Sequence, residues 1–480
     1  MLYNYLNKCI LPHIRRFFQN IWEVMVSTRI INIEEQLNDA PVSALQKLVV
    51  GLCFLMAMCD GFDTLSIAYV GPVLSEDLGI APDLLGYVFS SALVGILVGS
   101  LIFSVLGDRI GRRIVLIGAT VAVGVFALCT ALASSGTELL IYRFFTGVGL
   151  GATMPNLYAL TSDYAPKRHR AIMMTMMFIG WSSGGFLGAF LSNWLIAQYG
   201  WTAIFIFGGV TPILLAVLLW YTLPESIGFL AIKPGGAEKA GRLLEKINPN
   251  YQWQPDDQFI TTDQSTQEDT RPDSSEAPPS PTDLLAKSYR LATTLFWTLF
   301  FLNLMTAYSI INWMPTLLVK EGIALSDAIF LSAFSEGGGL IGGILLARAV
   351  DRFGPNKGLC VIFIVGACML ISLATVDKIF MLILAISTMI GFSITGGQHN
   401  LNALVGIYYP PRIKAMGVGY ALAFGRLGAI LGPILIGYLF NYGFGLKGVF
   451  IAIAMIPLAT AILSWFLINH IRQSASSSES

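Results

Sequence analysis

Charge is scarce in this chain. Asp, Glu, Lys and Arg make up 12% of its 480 residues, and 29 acids cancel 29 bases. Zero net charge and the lack of a separate basic domain argue against nucleic acid as a partner. Cysteine is sparse too, at six residues, and Cys53, Cys59, Cys129, Cys360 and Cys368 lie in apolar stretches where a small apolar side chain is the expected role. No redox chemistry and no metal-ligand spacing is read from them. No nucleophile stands with a base and an orienting group, so an enzyme is not expected. Extended polar sequence is missing outside 224–290, where 235–247 reads as a short charged helix and 261–282, rich in Ser, Thr, Asp, Glu and Pro, reads as disordered.

Apolar sequence is what the chain has in excess: 55% of residues are hydrophobic, in repeated runs near the 20 or so that a bilayer-spanning helix needs. Twelve spans are predicted, at 48–70, 84–106, 114–133, 139–162, 171–196, 201–222, 291–318, 328–350, 358–376, 379–407, 415–441 and 446–469. The fold class is therefore an all-α integral membrane protein, in contact with lipid. It divides into an N-terminal segment (1–47), a six-helix half (48–222), a central loop (223–290), a second six-helix half (291–470) and a tail (471–480). Of the 29 Lys and Arg, 23 fall in the termini and even-numbered loops and three (Lys320, Lys378, Lys447) in odd-numbered ones, which places both termini in the cytoplasm. Residues 1–24 are a weakly amphipathic basic segment without a signal-cleavage site, and a start at Met25 is an equally good reading.

Within the first span, Asp60 and Asp63 interrupt an apolar run. Each acid at bilayer depth costs roughly 2.5–3.5 kcal/mol, so a pair is expected to face a cavity and to function. The i, i+3 spacing puts both on one helical face, where ionisation of one disfavours ionisation of the other, as a proton carrier requires. In the fourth span, Arg143, Gly147 and Gly151 recur every four residues, so a small-residue stripe runs into a buried cation. A guanidinium is a fork for a carboxylate. Its partner is either a substrate anion or the Asp60/Asp63 pair. Between spans two and three, the Gly-containing turn with Asp108, Arg109, Gly111 and Arg112 reads as an ion-paired latch between helices that move apart.

An internal repeat organises all of this. Residues 156–171 align without gaps on 400–415, with eight identities in 16 positions, and Asp108, Arg109 and Gly111 fall on Asp351, Arg352 and Gly354. The halves are therefore parallel repeats, an arrangement in which substrate binds near the midplane between them. They differ where chemistry is expected. Asp60 and Asp63 correspond to Asn303 and Thr306, so proton binding is asymmetric. The second half supplies Arg426 in place of Ser182, His399 in place of Pro155, and Glu336 in place of Leu93.

Two six-helix repeats with an Asp-Arg-x-Gly-Arg-Arg turn resemble the major facilitator superfamily over roughly residues 45–470. More narrowly, Asp60-Gly-Phe-Asp63, the run from Arg143 to Asn156, Asn312-Trp-Met-Pro-Thr-Leu-Leu318 and the run from Gly425 to Pro433 look like the aromatic acid:proton symporter family. The resemblance implies uptake of an aromatic carboxylate across a bacterial inner membrane with protons as the only coupling agent, and no other cofactor. Two departures stand out: Ser104 replaces the usual Gly four residues before the turn's Asp, and Glu336 occupies a place expected to be neutral. The expected partner is a small organic anion, and no oligomer is required. Proton coupling is expected at Asp60, Asp63 and Glu336. Substrate contacts are expected from Arg143, Asn156, His399, Asn400 and Arg426, and latching from Asp108, Arg109, Gly111, Arg112, Asp351 and Arg352. Phe62, Tyr158, Trp181, Tyr308 and Trp313 are aromatic candidates for which bundle packing is the favoured role. A non-aromatic acid such as muconate, and a transporter-like receptor, are the alternatives.

Overall fold

The computed structural model describes residues 29–260, 280–353, 358–376 and 379–478. Residues 1–24, Met25 and nearly all of 261–282 lie outside the described residues. The twelve spans are Ala44–Asp77, Pro82–Ile110, Arg112–Ala131, Gly136–Tyr164, Arg170–Tyr199, Thr202–Thr222, Arg290–Lys320, Leu325–Phe353, Gly358–Thr375, Phe380–Tyr408, Pro411–Asn441 and Leu446–Ser478, referred to below as spans one to twelve. Most run past the predicted limits. Hydropathy marks only the stretch that needs lipid, whereas caps decide where a helix begins. Span one starts four residues early because Ser43 and Gln46 form a reciprocal capping box.

Eleven of the described helices are long and apolar enough to cross a bilayer by themselves. Span four, Gly136–Tyr164, is the exception, since it carries Arg143, Thr146, Thr153 and Asn156, all buried. Its neighbours bury what lipid would reject. Gly147 and Gly151 lie so close to span two that a Cβ would run into the carbonyls of Ala92 and Ile96, while Gly95 and Gly99 of span two press equally on Phe144 and Val148. Small residues on both faces thus bring the two backbones into contact.

The start of span one and the end of span twelve lie at one end of the bundle, called here the terminal end. The halves pack on each other through span two on eleven, one on seven and five on eight. These contacts cluster at the opposite, far end. Ser90 Oγ donates to the Ile430 carbonyl at 2.7 Å, the Tyr87 and Tyr438 hydroxyls meet at 2.7 Å, and Trp313 Nε1 donates to the Pro433 carbonyl at 3.0 Å. Phe186 and Phe190 of span five meet Phe334 and Phe330 of span eight edge-on. Among the described residues no comparable packing joins the halves at the terminal end, so the space between them opens there.

A small cap covers the terminal end of the first half. Strand β1 (Arg29–Asn32) pairs in parallel with β2 (Asp257–Ile260), Arg29 opposite Asp257. Helix Ala237–Ile247, close to the predicted 235–247, packs Leu244 and Ile247 with Ile31, Leu37, Leu116 and Ile227. Glu34 holds Lys167 at 2.8 Å and Arg170 at 3.3 Å, tying the cap to the loop before span five. Burial, and the Asp257 carboxylate to which its hydroxyl donates at 2.6 Å, push the Tyr251 phenol up. The strand pairing joins residues more than 220 apart, beyond the reach of local sequence patterns.

Candidate functional site

Span one is fixed against span five by two close approaches. A Cβ at Gly61 would run into the Trp181 carbonyl, and one at Gly184 into that of Met58. That packing aims Asp63 at span four. Arg143 donates from Nη1 to Asp63 Oδ1 at 3.0 Å and from Nη2 to the Asp63 carbonyl at 3.1 Å, while Nη2 lies 3.0 Å from Oδ2. Arg143 is 0% exposed and Asp63 1%, and the guanidinium carbon stands 5.8 Å from the Phe205 ring centroid. Of the two partners that the sequence leaves open for Arg143, the structure therefore shows Asp63. An ion pair fully out of water, with one carboxylate oxygen and the backbone carbonyl both accepting from the guanidinium, is costly to break.

Asp60, one turn toward the terminal end, is buried yet differs from Asp63. Each acid leaves its Oδ2 without a hydrogen-bond partner, but among the described residues only Asp63 has an ion pair and Asp60 has none. Asp60 shares a helical stripe with Thr64 and Ile67, which line a cavity at mid-depth between the halves together with Phe89, Leu93, Tyr308 and Asn312.

Arg426 approaches this cavity from the other half. Ile430 and Pro433, one and two turns along span eleven, make the contacts to span two described above, so Arg426 lies on the stripe that faces the first half, at the level where the halves part. It is half-buried, forms no salt bridge among the described residues, and is close enough to Tyr308 for its charge to be felt there. The two arginines thus differ: buried Arg143 is neutralised, and half-buried Arg426 has no acid partner among the described residues.

The remaining second-half candidates scatter. Glu336 lies in a second pocket between spans one, seven and eight. His399 is exposed, its ring set against Gly343 of span eight, and Asn400 is buried. Asn156 does not reach the cavity, because its amide donates to the Phe103 and Ala152 carbonyls at 3.1 and 2.8 Å and braces span four against span two. Of the aromatic candidates, Tyr308 lines the mid-depth cavity, whereas Phe62 and Trp313 pack edge-on against Phe207 and Phe89. Sequence reasoning passed over a polar chain. Asn303 donates to Gln398 Oε1 at 2.8 Å, and Gln398 to Asn402 Oδ1 at 3.2 Å, with the buried Asn303 Oδ1 unpartnered. Its position as the repeat equivalent of Asp60 was the available signal.

At the terminal end, Arg112 bonds Asp163 of span four and lies 3.5 Å from Asp108, whose side chain is 72% exposed. Ser226 also donates to Asp163, and Glu225 accepts from the Arg113 backbone at 3.1 Å. Gly111 takes φ +107° where a Cβ would meet the Glu225 carboxylate, so glycine is required on both counts. Arg109 is exposed, and Asp351 and Arg352 close span eight. The contacts of Asp163 and Glu225 with this turn were not expected from the sequence. Asp163 stands where the second repeat has Ile407, a difference visible in the alignment.

Two six-helix repeats that close on each other at one end and part at the other, around a mid-depth cavity with an unpaired cation, make a membrane transporter of the alternating-access class. The Major Facilitator Superfamily profile matches residues 53–398 and 338–480, and the chain belongs to that superfamily. It is a transporter and not an enzyme. The chain is 33% identical over 432 residues to the gallate transporter of Pseudomonas putida, covering 90% of this chain and 94% of that one. It is 32% identical to the 4-hydroxybenzoate transporter of Acinetobacter baylyi, over 91% of this chain and 94% of that one. Among solved structures, the inward-open xylose transporter XylE of E. coli superposes with a TM-score of 0.66 at 19% identity, covering 88% of this chain and 96% of that one.

Proposed function

We propose that this chain is a proton symporter that imports an aromatic carboxylate across a bacterial inner membrane, with the terminal end in the cytoplasm. The observation that carries the reading is Arg426, a half-buried cation near the cavity-lining Tyr308 with no acid partner among the described residues, set against an Arg143 already satisfied by Asp63. Arg426 receives the substrate carboxylate, and Tyr308, Phe89 and the aliphatic wall of the cavity receive its ring. The basic loops at the terminal end support its cytoplasmic placement. The names of the relatives, carriers of gallate and of 4-hydroxybenzoate, favour an aromatic acid over muconate.

Charge bookkeeping gives the coupling. With Asp63 and Arg143 cancelling, the site holds Arg426 as a cation and Asp60 as an anion. Empty, it is neutral. An anion alone makes it negative, a proton on Asp60 alone makes it positive, and both together restore neutrality. Closing the halves over a net charge exposes that charge to a low dielectric, so the empty and doubly loaded forms are the ones that cross. An anion entering alone against 100 mV climbs about 2.3 kcal/mol, which the accompanying proton removes. The test is uptake of radiolabelled 4-hydroxybenzoate, gallate and benzoate with and without a protonophore, in the parent and in Arg426→Ala. Protonophore-sensitive uptake that Arg426→Ala abolishes supports the reading. Uptake of none of the three, or full activity of Arg426→Ala, overturns it.

A further inference from the structure

Glu336 is not used by the cycle just described, yet it occupies a place where a carboxylate is expensive. It lies in the pocket formed with Leu65 and Tyr69 of span one, Ile310, Ile311 and Met314 of span seven, and Ser335 of its own helix. Most of that wall is aliphatic. Ile329 and Ala333, on the same stripe of span eight, pack with Leu65, Tyr69 and Ala189 of the first half, so Glu336 sits at the inner edge of the far-end seam, one turn from where the halves touch. The Phe186, Phe190, Phe330 and Phe334 rings close the seam beside it.

The groups facing Glu336 are few. Span one presents the Tyr69 hydroxyl, which is occupied in donating to the Gly185 carbonyl at 3.1 Å. Span seven presents Tyr308, which feels the charges of both Glu336 and Arg426. Span ten brings His399 no nearer than Gly343, two turns toward the terminal end, and span five brings only aromatic rings. Asp60 and Asp63 lie farther down span one. Among the described residues no cationic nitrogen comes within 4.0 Å of the Glu336 carboxylate.

We infer that Glu336 is a second proton site that operates the far-end gate, so that the cycle carries two protons with each monovalent anion. The inference rests on the symport reading above. With the seam open, the carboxylate faces outside water and takes a proton from it. The seam then closes around a neutral acid, because closing apolar walls over an unpaired carboxylate carries the cost of a buried charge. In the closed state, Ile311 borders both this pocket and the mid-depth cavity. Once the substrate has left, the acid equilibrates with the cytoplasmic side through the parted terminal end. The proton departs to the cytoplasm, and the carboxylate left in the seam drives the gate open again.

The experiment uses proteoliposomes holding the full chain, radiolabelled 4-hydroxybenzoate and a potassium diffusion potential. Two protons with one anion move one net positive charge, so a 100 mV inside-negative potential raises the steady accumulation ratio about fifty-fold. One proton with one anion gives no change. The parent is expected to show the rise and Glu336→Gln to lose it while still accumulating substrate against a pH gradient. Uptake by the parent that is indifferent to potential, or an equal rise in Glu336→Gln, overturns the inference and leaves the symport reading intact. No uptake by the parent removes that reading as well. A second measurement does not depend on the variant's transport: distances between spin labels at positions 87 and 438 report the seam. Closure in the parent is expected to increase as pH falls and in Glu336→Gln to be independent of pH. The same pH response in both sinks the gate assignment.

Discussion

The two acids of span one, three residues apart and both buried, have opposite energetic roles, and substituting each by its amide separates them. Asp63→Asn removes the counter-charge of a guanidinium that is 0% exposed and sits among Phe205, span one and span four. The Nη2 bond to the Asp63 carbonyl survives the change, but the charge is left uncompensated. Breaking one side of a buried pair costs about 3–5 kcal/mol. That exceeds the roughly 0.6–1.7 kcal/mol of an ordinary interhelical hydrogen bond in a membrane protein, so the loss is electrostatic in origin. Asp60→Asn instead replaces a buried acid with no ion partner by a neutral group of equal size, and stability is expected to hold or rise. Unfolding in mixed micelles, followed by denaturant titration, measures both. The double variant Asp63→Asn/Arg143→Gln removes both charges and is expected to recover most of the stability lost by Asp63→Asn alone. If Asp63→Asn is no less stable than Asp60→Asn, or if the second substitution recovers nothing, the buried pair does not hold span one to span four and the reasoning fails.

Arg426→Lys keeps the charge but loses the planar fork. Losing a charged hydrogen bond of about 1.5–3 kcal/mol weakens 4-hydroxybenzoate binding roughly ten- to 150-fold, readable by calorimetry on purified protein. Asp163→Asn releases Arg112 and Ser226 from a shared partner. Its transport rate is expected to fall while equilibrium binding of substrate stays within about twofold, since this ion-paired cluster is remote from the cavity. Gly147→Ala drives a methyl into the Ala92 carbonyl and is expected to lower thermal stability by several degrees, whereas Gly51→Ala, with open space around it, leaves the melting temperature unchanged.

Much of this architecture is legible in the residues. Apolar runs mark the spans and the repeat pairs the halves, because both depend on local composition and on a copied pattern. Span four shows the limit: its apolar run marks 139–162 as a span, yet Gly136–Tyr164 is less apolar than the other eleven because of the polar side chains it buries. The sequence also isolates Asp60, Asp63, Arg143 and Arg426 as rare charges at depth. It does not say which cation is already satisfied, since that depends on the rotation of span one against span five, set by the approach of Gly61 to Trp181. Asn156 misled for the same reason. Its motif adjoins Arg143, yet three helical turns carry its amide out of the cavity to the Phe103 carbonyl. The β1–β2 pairing and the Asp163–Arg112–Ser226 cluster are long-range contacts between unlike segments, and no local pattern announces them.

The central claim is that a proton at Asp60 is what lets the anion-loaded carrier move uphill. Proteoliposomes with Asp60→Asn test it, because a permanently neutral group still permits the loaded form to cross. The variant is expected to exchange radiolabelled for unlabelled 4-hydroxybenzoate at a rate near that of the parent, and to show no accumulation under an inward pH gradient. Accumulation by Asp60→Asn at the parent's level, still driven by pH, would contradict the account.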